Sequence, residues 1–106
     1  MRKTYDKLVR DRIPEIIRAD GGTCETAILV DDEYRAALLA KLVEEAQEAA
    51  TAAHGELITE LADLLEVIEA TISAHGLSRE AVEDERRRRR VERGGFKRRL
   101  RLLWTE

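Results

Sequence analysis

The chain has 106 residues, 43% apolar and 39% charged, with a formal net charge of −3, which suits one small folded domain over 1–106 and is too short for a large self-sufficient core. Its single cysteine, Cys24, excludes an internal disulfide and a thiolate zinc site, and no apolar run nears the roughly 18 residues of a membrane span. A cytoplasmic location is expected, with no apolar signal region in the opening "MRKTYDKLVRD" and no membrane partner.

In chain order, "DRIPEIIRADGG" predicts a short helix, with Pro14 in its first turn and Gly21–Gly22 as its stop. "TCETAILV" is β-branched enough to predict a strand. Asp31, Asp32 and Glu33 supply an N-cap and a negative first turn to a long helix over roughly 33–53. That helix stops at His54–Gly55, and the next, roughly 56–74, stops at His75–Gly76. Glycine just past a helix, with histidine in the last turn, marks helix ends, so neither histidine is taken as a ligand. Ser78 caps a third helix that runs through the arginines to Gly94–Gly95. The closing "FKRRLRLLWTE" reads as extended. The expected fold class is mainly α, an antiparallel helical bundle, with a small two-stranded β element near 23–30 and 96–104. So short a helical chain is also expected to complete its core as a homo-oligomer, a dimer or tetramer.

The segment "LVEEAQEAATAAHGELITELADLLEVIEA" carries eight carboxylates, and no Lys or Arg lies between residues 42 and 78. At about 100° per residue, Glu45 falls at the edge of the apolar stripe of the first long helix, with Glu48 about 60° beyond it. Glu60 and Asp63 repeat that arrangement in the second. A short turn makes the helices antiparallel and keeps both acid pairs on one side of the hairpin. Glu48 and Glu60 then lie roughly 8–10 Å from the turn, and Glu45 and Asp63 roughly 13–14 Å. Four carboxylates converging beside an apolar face repel one another unless a cation joins them. Lys41 stands one turn before Glu45, outside the acidic stretch. A hard divalent cation with oxygen ligands, Mg²⁺, answers the repulsion. Glu44, Glu66 and Glu69 point away from the stripe and read as solvated surface.

On these residues the sequence resembles the all-α nucleoside triphosphate pyrophosphohydrolases, the MazG-like and phosphoribosyl-ATP pyrophosphohydrolase-like superfamily. The signature ExxE…ExxD stands here as "EEAQE" (Glu45, Glu48) and "ELAD" (Glu60, Asp63). A small subgroup opens with "YDKLVRDRIPEII" and closes with "RGGF", both present at Tyr5–Ile17 and Arg93–Phe96. The resemblance implies a bundle of MazG-like type and hydrolysis between the α- and β-phosphates of a nucleoside triphosphate. It gives monophosphate and pyrophosphate, in house-cleaning of modified or surplus nucleotides. Glu45, Glu48, Glu60 and Asp63 would hold Mg²⁺, for which Mn²⁺ can substitute. Catalysis would fall to Glu45 and Glu48, with Glu44 as helper to a second ion or to water. MazG-like relatives often carry an Asn and a Lys after ExxD, whereas this chain has no Asn; Arg89 and Arg93 would replace the basic part.

A triphosphate also needs cations. Residues 85–101 hold ten Arg or Lys against Glu85 and Glu92. The substrate-binding candidates are Lys7, Arg10 and Arg12 near the start, and Arg89, Arg93 and Lys97 near the end. Most of the arginine run is expected to be a solvated helix laced by the i,i+4 pairs Glu83–Arg87, Asp84–Arg88 and Glu85–Arg89. Tyr5, Tyr34, Phe96 and Trp104 are expected in core or interface rather than stacked on a base.

Three readings compete with the triphosphate enzyme. Phosphoribosyl-ATP hydrolysis in histidine biosynthesis belongs to the same class. A non-enzymatic nucleic-acid-binding helical module is disfavoured by the net negative charge and leaves the acids unexplained. A helical interaction protein without ligand predicts that Glu48→Gln is harmless.

Overall fold

A computed structural model describes all 106 residues, Met1–Glu106. It is helical throughout and contains no strand: α1 Ile13–Ala19, α2 Asp31–Thr51, α3 Leu57–Ala74 and α4 Arg79–Arg93, with a short 3-10 turn at His54–Glu56. The chain forms two compact units, Met1–Gly76 and Leu77–Glu106.

In the first unit, α1 carries Pro14 in its first turn, which its fixed φ suits, and Asp20 is its C-cap. Gly21, at φ 86°, adopts the left-handed conformation that closes the helix. Its N–H donates to the Arg18 carbonyl, and that of Gly22 to the Ile17 carbonyl. The helix α2 begins two residues earlier than the sequence suggested. Val30 occupies the N-cap, and Asp31, Asp32 and Glu33 sit inside the first turn, where their charge complements the helix dipole without capping it.

The helix α2 stops at Thr51, three residues before the expected His54–Gly55 signal. Ala52 and Ala53 are extended, at ψ 144° and 149°, and the 3-10 turn then leads into α3. The second signal behaves as read: His75 caps α3 and Gly76 follows at φ 65°. The short connection folds α3 back along α2, and this helix pair is the centre of the unit. Its core is thin. Among apolar residues only Leu38 and Val67 are buried, while Leu39, Val43, Ile58, Leu61 and Leu65 of the same two helices remain exposed.

The expected β element at 23–30 and 96–104 does not form. No backbone hydrogen bond joins the two segments. Strand preference reflects packing on a pleated surface beside a neighbour, and Ile28 and Val30 here meet solvent instead. Within the first segment only Cys24 is half-buried, its thiol 4.0 Å from the Pro14 carbonyl.

In the second unit, the Ser78 hydroxyl accepts from the Ala81 N–H at 3.1 Å and starts α4 as expected. The ion pairs along α4 are mostly spaced i,i+3 rather than i,i+4: Glu83–Arg86, Asp84–Arg87 and Glu85–Arg88, with Arg88 also reaching Glu92. Helical side chains lean back over the preceding turn, which carries each guanidinium to the acid three residues before it. The Arg88 guanidinium donating to Glu85 lowers that carboxyl's pKa. The helix closes at Gly94, φ 84°, whose N–H donates to the Arg90 carbonyl at 2.8 Å.

Candidate metal centre

The helix pair brings the four sequence-marked acids together. Carboxylate oxygens of Glu45, Glu60 and Asp63 lie within 4.8 Å of one another, and so do those of Glu44, Glu45 and Glu48. Glu45 belongs to both groups. It is also the one buried charged residue of the chain, at 7% exposure, while Glu44, Glu60 and Asp63 are half-buried and Glu48 is exposed. Glu44 therefore turns toward the cluster rather than away from it. The expected surface roles of Glu66 and Glu69 divide: Glu66 is exposed and Glu69 half-buried.

Three cations from outside the acidic stretch approach this group. Arg10 Nη2 donates to Asp63 Oδ1 at 2.8 Å and Lys7 Nζ to Glu44 Oε1 at 3.3 Å. Lys41 Nζ lies 3.5 Å from Glu45 and 3.8 Å from Glu44. Sequence reasoning left Lys41 unassigned, although its i,i+4 spacing to Glu45 was the available signal. A small cavity of about 130 Å³ separates the start of the chain from α2, lined by Lys7, Leu8, Ala37, Lys41 and Glu44 among others. Arg12 pairs with Glu15 on its own helix at 2.7 Å and takes no part in the cluster. Arg89, Arg93 and Lys97 belong to the second unit.

These cations do not complete the site. Glu45 Oε2 and Glu60 Oε2 are buried without any hydrogen-bond partner. A buried carboxylate oxygen without a donor is costly, and two of them in one acidic cluster are what an oxygen-seeking cation would satisfy. The donor set therefore fits a divalent ion such as Mg²⁺.

Without metal the arrangement raises the Glu45 pKa above the ordinary 4.5. Burial is the largest cause, followed by the Glu48 charge; Lys41 opposes them, and Asp63 adds a smaller push. Folded Glu45 thus keeps its proton to higher pH than the unfolded chain does. Its contribution to stability is favourable below about 4.5 and is lost as pH rises through the raised value. In EDTA, the melting temperature of the native protein should fall more over that interval than that of Glu45→Gln. At neutral pH the variant should melt a few degrees higher, for about 1 kcal/mol of relieved desolvation. Melting curves of both proteins between pH 4 and 8 check this; parallel curves would contradict it.

Residues 22–90 match the family model described as phosphoribosyl-ATP pyrophosphohydrolase. An uncharacterized protein of Mycolicibacterium smegmatis is 64% identical over 42 residues, which cover 40% of this chain and 43% of that protein. The match thus spans less than half the length of that relative. No solved structure is significantly similar to the chain. Of these matches, the family model takes in both acid pairs and all of α2 and α3. The chain belongs to the phosphoribosyl-ATP pyrophosphohydrolase family, within the MazG-like all-α nucleoside triphosphate pyrophosphohydrolase superfamily.

Proposed function

We propose that the chain is a Mg²⁺-dependent nucleoside triphosphate pyrophosphohydrolase that cleaves between the α- and β-phosphates. The observation that carries this is the shared acid cluster, with its two orphaned oxygens on Glu45 and Glu60. Glu45, Glu48, Glu60 and Asp63 would hold the ion, and Mn²⁺ can replace it. When bound, such an ion polarises phosphoryl oxygens, offsets developing negative charge and lowers the pKa of a coordinated water. The residues themselves do the rest. Buried Glu45 anchors the cluster between the helices. Exposed Glu48 is the carboxylate best placed to accept a proton from the attacking water. Glu44, held by Lys7 and Lys41, assists in orienting that water.

Lys7 and Arg10 serve a second purpose in this reading. With the ion in place they are released from the acids and turn to the phosphates of the substrate. Arg10→Gln should therefore bind Mn²⁺ about fivefold more tightly in the absence of nucleotide, the worth of one exposed ion pair. Its KM for nucleotide should rise at the same time. Mn²⁺ titration by electron paramagnetic resonance and steady-state kinetics check the two halves, and unchanged Mn²⁺ affinity would refute the exchange.

House-cleaning of modified or surplus triphosphates in the cytoplasm is the role that the opening and closing motifs favour. Phosphoribosyl-ATP hydrolysis is the second reading, because that activity is in the description of the matching family model. The homo-oligomer expected from sequence is part of the proposal as well. A second copy is a natural cover for the apolar residues that α2 and α3 leave exposed, Leu39, Val43, Leu57, Ile58, Leu61 and Leu65.

The test is to incubate the protein with ordinary and modified nucleoside triphosphates and with phosphoribosyl-ATP, in Mg²⁺ and in EDTA, and separate the products. Monophosphate plus pyrophosphate formed only with Mg²⁺ is the expected result, and the fastest substrate decides between the two roles. No turnover on any of them, with Mg²⁺ or Mn²⁺, would overturn the proposal.

A further inference from the structure

The second unit sorts its charges. Arg86, Arg87 and Arg88 are neutralised by Glu83, Asp84, Glu85 and Glu92 along the helix. Arg90, Arg93, Lys97, Arg98 and Arg99 have no such partner, and all five line one concavity of about 670 Å³. No carboxylate lines it; the remaining walls are Gly94, Gly95, Phe96 and Leu100.

The backbone of this concavity is also suited to an anion. After Gly94 the chain turns, with the Arg99 N–H donating to the Phe96 carbonyl at 3.1 Å, and Arg99 itself at φ 59°. The N–H groups of Gly95, Phe96, Lys97 and Arg98 make no hydrogen bond within the chain. A Cβ on Gly94 or Gly95 would meet nothing within 4 Å, so the approach to these amides is open. Consecutive free amides beside clustered guanidinium groups are a setting in which phosphate oxygens are held by fork-like hydrogen bonds.

We propose that this cradle binds a compact polyphosphate, a pyrophosphate or triphosphate chain. Five cations converging on one concave site match several charges on adjacent phosphorus centres. A nucleic-acid backbone spreads its charges along a stripe and would be met by cations spaced along one. The proposal rests on the nucleotide reading of the acid cluster only for the class of ligand, because the cradle contains none of those acids and needs no metal.

Calorimetric titration of the full chain in EDTA, with inorganic triphosphate, pyrophosphate, orthophosphate and a single-stranded oligonucleotide, separates the two proposals. Triphosphate should bind at least tenfold more tightly than orthophosphate. Arg93→Ala and Lys97→Gln should each weaken it fivefold or more, with the helical circular dichroism unchanged, while Arg86→Ala should stay within twofold. Glu48→Gln should bind triphosphate like the native chain. Failure to bind triphosphate in EDTA would overturn the cradle and leave the acid cluster standing. So would equal losses from Arg86→Ala and Arg93→Ala, or an oligonucleotide that displaces triphosphate at lower phosphate concentration. Triphosphate binding in a chain that hydrolyses no nucleotide would instead remove the acid-cluster reading alone.

Discussion

Glu48→Gln should lower the rate of Mg²⁺-dependent nucleotide hydrolysis about 1,000-fold, the combined effect of losing a metal-ligating oxygen and a proton acceptor. The fold should survive. Glu48 is exposed on α2, outside the buried pair Leu38 and Val67. Its charge is the second-largest cause of the raised Glu45 pKa, so its removal relieves repulsion when no metal is bound. Circular dichroism should match that of the native chain, and the melting temperature in EDTA should be equal or slightly higher. A ligand-free interaction protein would show the same stability without any activity to lose. A fully active Glu48→Gln enzyme would sink the assignment of the acids.

Leu38→Ala should destabilise the chain by about 3 kcal/mol, the cost of truncating a buried leucine whose site collapses only in part. At this size each 1 kcal/mol lowers the melting temperature by about 4–8 °C, so the transition should fall by about 12–24 °C. The reason is how little the helix pair encloses. Leu38 is the most buried apolar residue, at 3% exposure, and Val67 is the only other one inside. Leu39→Ala, one residue on and 47% exposed, is the control: in an isolated chain it should cost under about 1 kcal/mol. Thermal melts of the two variants in parallel decide the matter. A small loss at Leu38 would mean that stability resides elsewhere, and a large loss at Leu39 would point to burial against a second copy.

The helix pair was legible because α2 and α3 state their period plainly. Their expected limits, 33–53 and 56–74, differ from the observed ones by at most two residues. The approach of Glu45 to Glu60 and Asp63 followed from angle and turn length, since a short connection leaves two antiparallel helices few alternatives, whereas Glu48 gathers with Glu44 and Glu45 on its own helix. Periodicity could not reveal Lys7 against Glu44 or Arg10 against Asp63, pairs separated by 37 and 53 residues. Those contacts depend on where an irregular segment crosses the hairpin. The strand at 23–30 was misread because β-branched residues record a liking for a neighbour, and that segment has none. Of the aromatics expected in core or interface, Tyr34 is half-buried on α2, while Tyr5, Phe96 and Trp104 lie outside the helices and are exposed in the single chain.

The three cations that reach the acid cluster also bear on how the chain would behave without the proposed ion. A cluster with no counter-charge of its own would spring open whenever metal was scarce, and folding would wait on supply, as it does in small zinc-dependent domains. Lys7, Arg10 and Lys41 act as an internal electrolyte instead. Lys7 and Arg10 tie the opening segment to α2 and to α3, Lys41 stays within α2, and together they offset part of the acidic charge without metal. On the proposed reading, loss of the ion would stop hydrolysis and leave the chain folded.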